Sequence, residues 1–398
     1  MGMAPLNPDS NVTAIIVLHN NSGLVADLAQ TLSHLPVRVV IYDSGSTDGS
    51  LEAALELIPG ARFITGENLG FGHGNNAAAR LVDTEYTLLL NSDARIDSGS
   101  LAMLVAHLEE NSSTAAAQPL IRAWKWPLVT AGSGVFVTPF GEAWDAKFMH
   151  LEREPGSDVL RPPAVSAAVS LWRTSVFHDV GGFDPGYFMY FEDADLCLRA
   201  SVEGWTFSVL REARALHRVG ASSRRPMAAR WEVASSVRLA KRFLGGGRLP
   251  RGFLARQARI QLRLVLSGKP WAGRFMALVQ ALNSPVNPIA LPARVRPVLH
   301  GSPGDYPLPR PGPEGPGVRG RFLAPYGVFP AGGGSIRISS PFDDVSAGIC
   351  GADGMLRESF TIPRGTGRLV ELSGDGGLLY IFCNDPRARL EVTGGEVF

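Results

Sequence analysis

Cysteine is scarce. Cys197, Cys350 and Cys383 are the only three in 398 residues, they are far apart, and none has a CxxC spacing. That excludes a disulfide framework and a cysteine-ligated zinc site, and it predicts a reducing compartment. No stretch approaches the ~18 uninterrupted apolar residues of a membrane-crossing helix. The amino terminus, MGMAPLNPDSNVT, has neither a basic flank nor an apolar core, so no signal peptide is expected. No GKS or GKT occurs near the Gly-rich stretches, so there is no P-loop. Tryptophan is missing from 301–398, where Tyr306, Tyr326, Tyr380 and several phenylalanines are the only rings that could stack on a sugar. That argues against a carbohydrate-binding module there. Acids are almost absent from 221–280, where Glu232 stands alone against 13 Lys/Arg. The net charge is only +1, so the rest of the chain must be acidic.

What is present describes a globular α/β protein. Hydrophobic residues make up 45% and charged residues 19%, enough for a sizeable core. The length suits two or three domains at ~150 residues each. Up to residue 91, short apolar runs alternate with helical periods. TAIIVLHN (13–20), VRVVIYDSGS (37–46), ARFITGE (61–67) and YTLLLN (86–91) have the composition of buried strands. LVADLAQTLSHL (24–35), SLEAALELI (50–58) and GHGNNAAARLV (72–82) have helical period. Strands alternating with helices predict a mostly parallel sheet covered on both faces, with a ligand cleft at the carboxyl ends of its strands. The polar clusters fall there: His19-Asn20, Asp43 to Ser46, Glu67-Asn68, and Asn91 to Asp93. The expected organisation is a catalytic domain over 1–223, basic helices over 224–300, a linker over 301–317 and a small β-sandwich-like domain over 318–398. The linker holds 11 Pro or Gly in 17 residues and cannot pack as a helix or central strand.

Several stretches carry candidate chemistry, and each has a plainer alternative. In IYDSGSTDGS (41–50), Ser46 to Asp48 suit helix capping. Asp43 precedes the cap and is placed to accept hydrogen bonds from a ribose or a base. GENLGFGHGNNAAAR (66–80) is a plain turn or a close approach of backbone to a nucleotide, with Asn75 and Asn76 offering amides. In LLLNSDARI (88–96), Asp93 either caps the next helix or holds a metal against a phosphate. In GGFDPGYFMYFEDADLCLR (181–199), Glu192, Asp193 and Asp195 form an acidic first helical turn, worth under ~1 kcal/mol each through the dipole. The aromatic cover of Phe188, Tyr190 and Phe191 would also raise the pKa of a carboxylate there and suit a general base. His217, in ALHRVGASS (215–223), is a structural histidine or a metal ligand.

Taken in order, VLHN, YDSGSTDGS, NLGFGHGNN, LLLNSDARI, GGFDPGYFMYFEDADLCLR and LHRVGAS resemble the family-2 inverting glycosyltransferases of GT-A fold. The similarity is greatest to their bacterial rhamnosyltransferase-like branch, and it runs from about Thr13 to Ser223. The resemblance implies roles position by position. Asp43 would contact the base or ribose. Asn68, Gly70 and Asn75 would line the nucleotide cleft, with Asn20 and Asn91 beside them. Asp93 would be the last acid of a DxD-type motif and bind Mg²⁺ or Mn²⁺ on the donor diphosphate, with His217 completing the metal shell. Asp193 would be the base that deprotonates the acceptor hydroxyl, supported by Glu192. The first acid of the motif is replaced by Asn91, which brings no charge.

The implied activity is transfer of a sugar from a nucleotide-diphosphate donor, dTDP-rhamnose first, to a saccharide or lipid-linked saccharide acceptor. The alternatives are a nucleotidyltransferase on a similar sheet and a non-catalytic scaffold. LHNNSGLVADL lacks the basic first loop of the former, and FEDAD with His217 argues against the latter. The expected location is cytoplasmic. The basic segment 224–298 is either a solvated face packed on the catalytic domain or a contact with the inner face of the plasma membrane. No nucleic-acid module accompanies the charge. A homo-oligomer is compatible with the sequence and not specified by it.

Overall fold

The computed structural model describes residues 10–124, 126–138, 140–145, 150–151, 158–218, 227–244, 246–266 and 271–291. Beyond these it describes 320–323, 326–330, 334–340, 345–350, 356–372, 378–382 and 389–393. The expected linker, 301–317, lies outside the described residues. The chain forms two compact units. The first comprises 1–121, 132–145 and 156–301, and the second 122–131, 146–155 and 302–398.

The first unit opens with β1 (Val12–Leu18), α1 (Ser22–Ser33), β2 (Arg38–Asp43), α2 (Ser50–Leu57), β3 (Arg62–Thr65), α3 (Phe71–Ala79) and β4 (Tyr86–Leu90). β1 pairs in parallel with β2 and with β4, and β2 in parallel with β3. The near-continuous burial of IIVL, VVIYD and YTLLL is what a sheet covered on both faces requires. β5 (Ala94–Ile96) and α4 (Ser98–Glu110) follow, with Asp97 capping α4 by accepting from the Ser100 N–H at 2.8 Å. β6 (Thr114–Ala123) is buried along its whole length. Beyond it come β7 (Trp126–Gly132) and β10 (His150–Leu151), which fall in the second unit apart from Gly132, and β8 (Val135–Val137), β9 (Ala143–Asp145), β11 (Val159–Leu160) and β12 (Val169–Arg173), which fall in the first. β12 runs antiparallel to both β4 and β6, extending the parallel half of the sheet.

The remainder of the first unit is α5 (Thr174–Asp179), α6 (Glu192–Val202), β13 (Thr206–His217), α7 (Ala228–Leu239), α8 (Phe253–Leu266) and α9 (Ala272–Asn283). A π-helical turn, Ala240–Leu244, extends α7. The core joins Ile15, Val40, Leu89, Trp172, Phe177, Phe183 and Phe207. In the second unit, β14 (Gly320–Leu323) through β21 (Arg389–Thr393) include two antiparallel four-stranded sheets, ordered β14-β21-β16-β19 and β15-β20-β17-β18. Their intermediate strands are β15 (Tyr326–Pro330), β16 (Gly334–Ser340), β17 (Val345–Cys350), β18 (Leu356–Ile362), β19 (Thr366–Leu372) and β20 (Leu378–Phe382). Among the described residues, no helix is long and apolar enough to cross a membrane.

The basic segment contains helices α7 to α9. Part of the charge is internal. Asp184 receives Arg238 and Arg242, and Asp195 receives Arg242 at 3.1 Å and Arg199 at 2.7 Å. Asp195 is fully buried and also accepts from the Tyr187 hydroxyl at 3.2 Å. The third carboxylate of FEDAD therefore locks α6 to the π-helical turn. Removing one partner of a buried ion-pair network strands the others, so Asp195→Ala is expected to cost about 3–5 kcal/mol in urea unfolding. A loss below ~1 kcal/mol would contradict this role.

Candidate active site

The expected site residues converge because of the sheet's topology. β2, β1 and β4 are adjacent and parallel, so Asp43, which ends β2, and Asn20 and Asn91, which follow β1 and β4, all lie at carboxyl ends on one edge of the sheet. Asp43 is 2% exposed, and its Oδ2 accepts from the Ser46 N–H at 3.0 Å. Its Oδ1 is buried without a partner, an arrangement costing about 1–3 kcal/mol until a donor arrives. Asn20 adopts φ 53 and accepts from the Thr47 N–H at 2.9 Å, joining the first loop to the second. His19 Nδ1 lies 2.9 Å from the Ser44 carbonyl in the same junction. Asn68 is exposed and accepts from the Gly70 N–H at 3.3 Å.

The Gly-rich stretch packs against the loop 181–191. Gly70 has φ 104, and a Cβ there would stand 2.3 Å from the Phe188 carbonyl oxygen. The Phe71 N–H donates to that same oxygen at 3.0 Å. A Cβ on Gly72 would meet Phe183 at 2.7 Å. Asn76 is fully engaged on the Phe183 backbone, donating at 2.8 Å and accepting at 2.8 Å. Asn75, 2% exposed, donates to the Phe71 carbonyl of its own helix. The stretch GFGHGNN is thus a clasp. It holds the loop 181–191, and with it the acids of α6, against the β1–β4 half of the sheet.

Asp93 and His217 meet because β13 pairs antiparallel with β5, in a register that sets His217 opposite Ala94. His217 Nε2 lies 3.1 Å from Asp93 Oδ1. Burial disfavours the His217 imidazolium. The hydrogen bond and charge of Asp93, backed by Asp145, outweigh it and raise the pKa. Asp193 reaches the same region through a two-residue backbone bridge: the Ala167 N–H donates to Asp193 Oδ2 at 3.3 Å, and the Asn91 N–H donates to the Ala168 carbonyl at 2.9 Å. Burial pushes the Asp193 carboxyl above its ordinary range. Glu192 is raised as well, by burial first and then by the charge of Asp193, and its Oε2 is buried without a partner. α6 is entered through Tyr190 at φ 71 and Phe191 at φ 66. Left-handed conformations in non-glycine residues cost of order 1–3 kcal/mol each and collect at functional sites. With Asn20 they are the described non-glycine residues at positive φ, and all three border this site.

One further acid, Asp145, carries no readable signal in the sequence. Asp145 ends the three-residue strand β9, in a stretch whose pattern is too irregular to read. Burial, then the charge of Asp193, lifts its carboxyl to about 7, while His217 opposes the rise. Its Oδ1 is buried and unpartnered. Among the described residues no group of three or more potential ligands is assembled at ligating distance. The chemistry still fits a divalent cation: an oxygen–imidazole pair from Asp93 and His217, beside an uncompensated buried carboxylate.

Comparison with known proteins defines the family. Residues 13–147 match the sequence model of glycosyl transferase family 2, and 86–293 that of glycosyl transferase family group 2. N-acetylglucosaminyl-diphospho-decaprenol L-rhamnosyltransferase of Mycobacterium tuberculosis is 31% identical over 57% of this chain and 84% of its own length. Rhamnosyltransferase WbbL of Escherichia coli K12 is 28% identical over 57% of this chain and 91% of its own. Among solved structures, the mannosyltransferase PcManGT of Pyrobaculum calidifontis, in complex with GDP-Man and Mn²⁺, aligns with a TM-score of 0.43. It is 18% identical, and the alignment covers 70% of this chain and 75% of that one. The chain belongs to glycosyltransferase family 2 and is a glycosyltransferase of the rhamnosyltransferase branch.

Proposed function

We propose that the protein transfers a sugar, rhamnose from dTDP-rhamnose in the first instance, to a lipid-linked saccharide with inversion at the anomeric carbon, in cell-surface polysaccharide synthesis. The observation that carries this proposal is the meeting of three sets of groups at one end of the sheet. They are the unpartnered Asp43 oxygen, the Asp93–His217 pair, and an Asp193 whose carboxyl burial pushes above its ordinary range. The lipid-linked acceptor is supported by the name of the mycobacterial relative.

Asp43 would accept hydrogen bonds from the nucleoside, with Asn20 and Asn68 along the same cleft. Asp93 and His217 would hold Mg²⁺ or Mn²⁺ by one oxygen and one nitrogen, with Asn91 adjacent. Bound there, a divalent cation supplies charge neutralisation to the departing diphosphate, worth several kcal/mol. Asp193 would take the proton from the acceptor hydroxyl as that oxygen bonds to the anomeric carbon. Its raised pKa makes it a stronger base than an ordinary carboxylate. Glu192, neutral beside it, would keep a second negative charge away from the same pocket.

A donor panel read by thermal shift tests the assignment of donor. Selective binding stabilises by RT ln(1 + [L]/Kd), so dTDP-rhamnose with Mn²⁺ should raise Tm above any UDP-hexose. A larger shift with a UDP-sugar would reassign the donor.

Membrane contact through α8 and α9 is the second part of the proposal. Leu262, Val265 and Leu266 on α8, Trp271 just before α9, and Phe275 and Met276 on α9 are exposed, Leu266 to 78% and Met276 to 69%. No acid occurs between 246 and 291, against seven Lys/Arg. An exposed apolar face in a segment without acids suits an anionic bilayer surface, at about 1 kcal/mol per basic residue that reaches it. The full chain is expected to co-sediment with phosphatidylglycerol vesicles and not with phosphatidylcholine ones, and to lose binding on L266D or M276D. Undiminished sedimentation of both variants would sink this part.

A further inference from the structure

Between the loop 181–191 and helices α7 and α9 lies a cavity of about 540 Å³ that the catalytic residues do not use. Arg230, Trp231 and Arg238 from α7, Gly186 from the loop, and Gly273 and Met276 from α9 line it. It adjoins a second cavity of about 570 Å³ on the outer side of α9, whose walls include Phe275, Val279 and Pro285. Met276, Gln280 and Ser284 are common to both linings. The pair therefore grades from an apolar trough on the exposed face of α9 to a cationic chamber beside α7.

The chamber is held to the catalytic loop. The Trp231 ring stacks on Phe188 at 4.8 Å between centroids, and Ser235 Oγ donates to the Met189 carbonyl at 3.0 Å. Phe188 precedes Asp193 by five residues and is the residue that the Gly70 clasp grips. The two guanidinium groups at the rim are not equivalent. Arg238 spends its charge on Asp184, with contacts at 3.0 and 2.8 Å. Arg230 has no carboxylate partner among the described residues. It lies across Gly273, where a Cβ would come within 2.2 Å of its Nε. Only a glycine there leaves room for the guanidinium against α9, and Arg230 is exposed; an exposed guanidinium suits an anion.

We propose that this double cavity is the acceptor-carrier subsite and that it takes a prenyl diphosphate. Arg230 holds the diphosphate, Trp231 and Met276 flank the first isoprene units, and the Phe275–Val279–Pro285 trough guides the tail toward the exposed face of α8 and α9. The proposal rests on the glycosyltransferase reading above, since it places the carrier of the acceptor sugar on the side of the loop that leads to Asp193. An anion with an apolar tail satisfies both cavities together, whereas a free phosphate uses only the chamber and a neutral lipid only the trough.

Equilibrium dialysis of the full chain with tritiated farnesyl diphosphate tests it. Saturable binding is expected, weakened about 10- to 100-fold in R230A, as befits loss of a charged hydrogen-bonding partner. Gly273→Val, which displaces the guanidinium without removing it, is expected to weaken binding in the same sense. Farnesol and inorganic pyrophosphate should each compete at least ~10-fold more weakly than the intact ligand, because each satisfies one cavity only. Equal affinity in wild type and R230A, or pyrophosphate competing as well as farnesyl diphosphate, would overturn the subsite. dTDP binding, followed in parallel by thermal shift, separates the two levels. If R230A loses farnesyl diphosphate while dTDP still binds, the subsite stands. If wild type fails to bind dTDP while farnesyl diphosphate binding stays sensitive to R230A, the donor reading falls and the cavity assignment survives.

Discussion

Replacing Asp193 by Asn is expected to lower kcat by at least ~10²-fold while leaving donor affinity within about twofold. The expectation follows from where the side chain sits. Its oxygens touch two backbone N–H groups, Ala194 at 2.8 Å and Ala167 at 3.3 Å, and among the described residues no arginine or lysine. An amide can keep one of those contacts, so the helix start should survive the change. What an amide cannot do is accept the acceptor's proton. The sign of the pH dependence follows from the same environment. Burial favours the neutral acid, so the folded-state pKa lies above that of a free aspartate. The base is active when ionised. Activity is therefore present above that raised pKa and lost as pH falls through it, at a higher pH than an ordinary carboxylate would give. Steady-state kinetics across pH check both points: a wild-type acid limb near pH 4 or a variant of near-normal turnover would remove Asp193 from this role.

Asp93→Ala should act on a different quantity. It takes away one of the two groups proposed to hold the cation and strands His217, whose raised pKa depends on that carboxylate. Donor affinity in the presence of Mn²⁺ is expected to fall by at least ~10-fold, the lower range for loss of a group that supports a metal. Affinity measured in EDTA should be the same for wild type and variant. The comparison is a calorimetric titration with donor, with and without Mn²⁺. An unchanged metal response would separate Asp93 from the ion. Together the two variants divide the site: Asp93 should control binding and Asp193 turnover, and a single residue controlling both would not fit.

Much of the parallel half of the sheet was legible because buried parallel strands are apolar on both faces. TAIIVLHN, VRVVIYDSGS, ARFITGE and YTLLLN each contain their observed strand within a few residues at either end. Asp43 and Asp93 could be placed at strand ends for the same reason. The contact between Asp93 and His217 could not be derived locally, since it depends on the pairing of the three-residue β5 with a strand 120 residues later. Asp145 was hidden because β8 and β9 are only three residues long and show no period. FEDAD offered three acids with similar local credentials. Only the fold separates Asp195, tied to Arg199 and Arg242, from Asp193 and Glu192, which have no cationic partner in the described structure. The Gly-rich stretch looked like a nucleotide loop by composition. Its space is taken by Phe183 and Phe188, which are more than 100 residues away in sequence.

The central claim is glycosyl transfer from a nucleotide-diphosphate donor at the Asp93–His217–Asp193 site, and the products of one incubation test it most directly. With dTDP-rhamnose, Mn²⁺ and a lipid-linked saccharide acceptor, the account predicts release of dTDP in step with a glycosylated acceptor of inverted anomeric configuration, abolished in D193N. Release of pyrophosphate or of a sugar 1-phosphate in place of dTDP would contradict it.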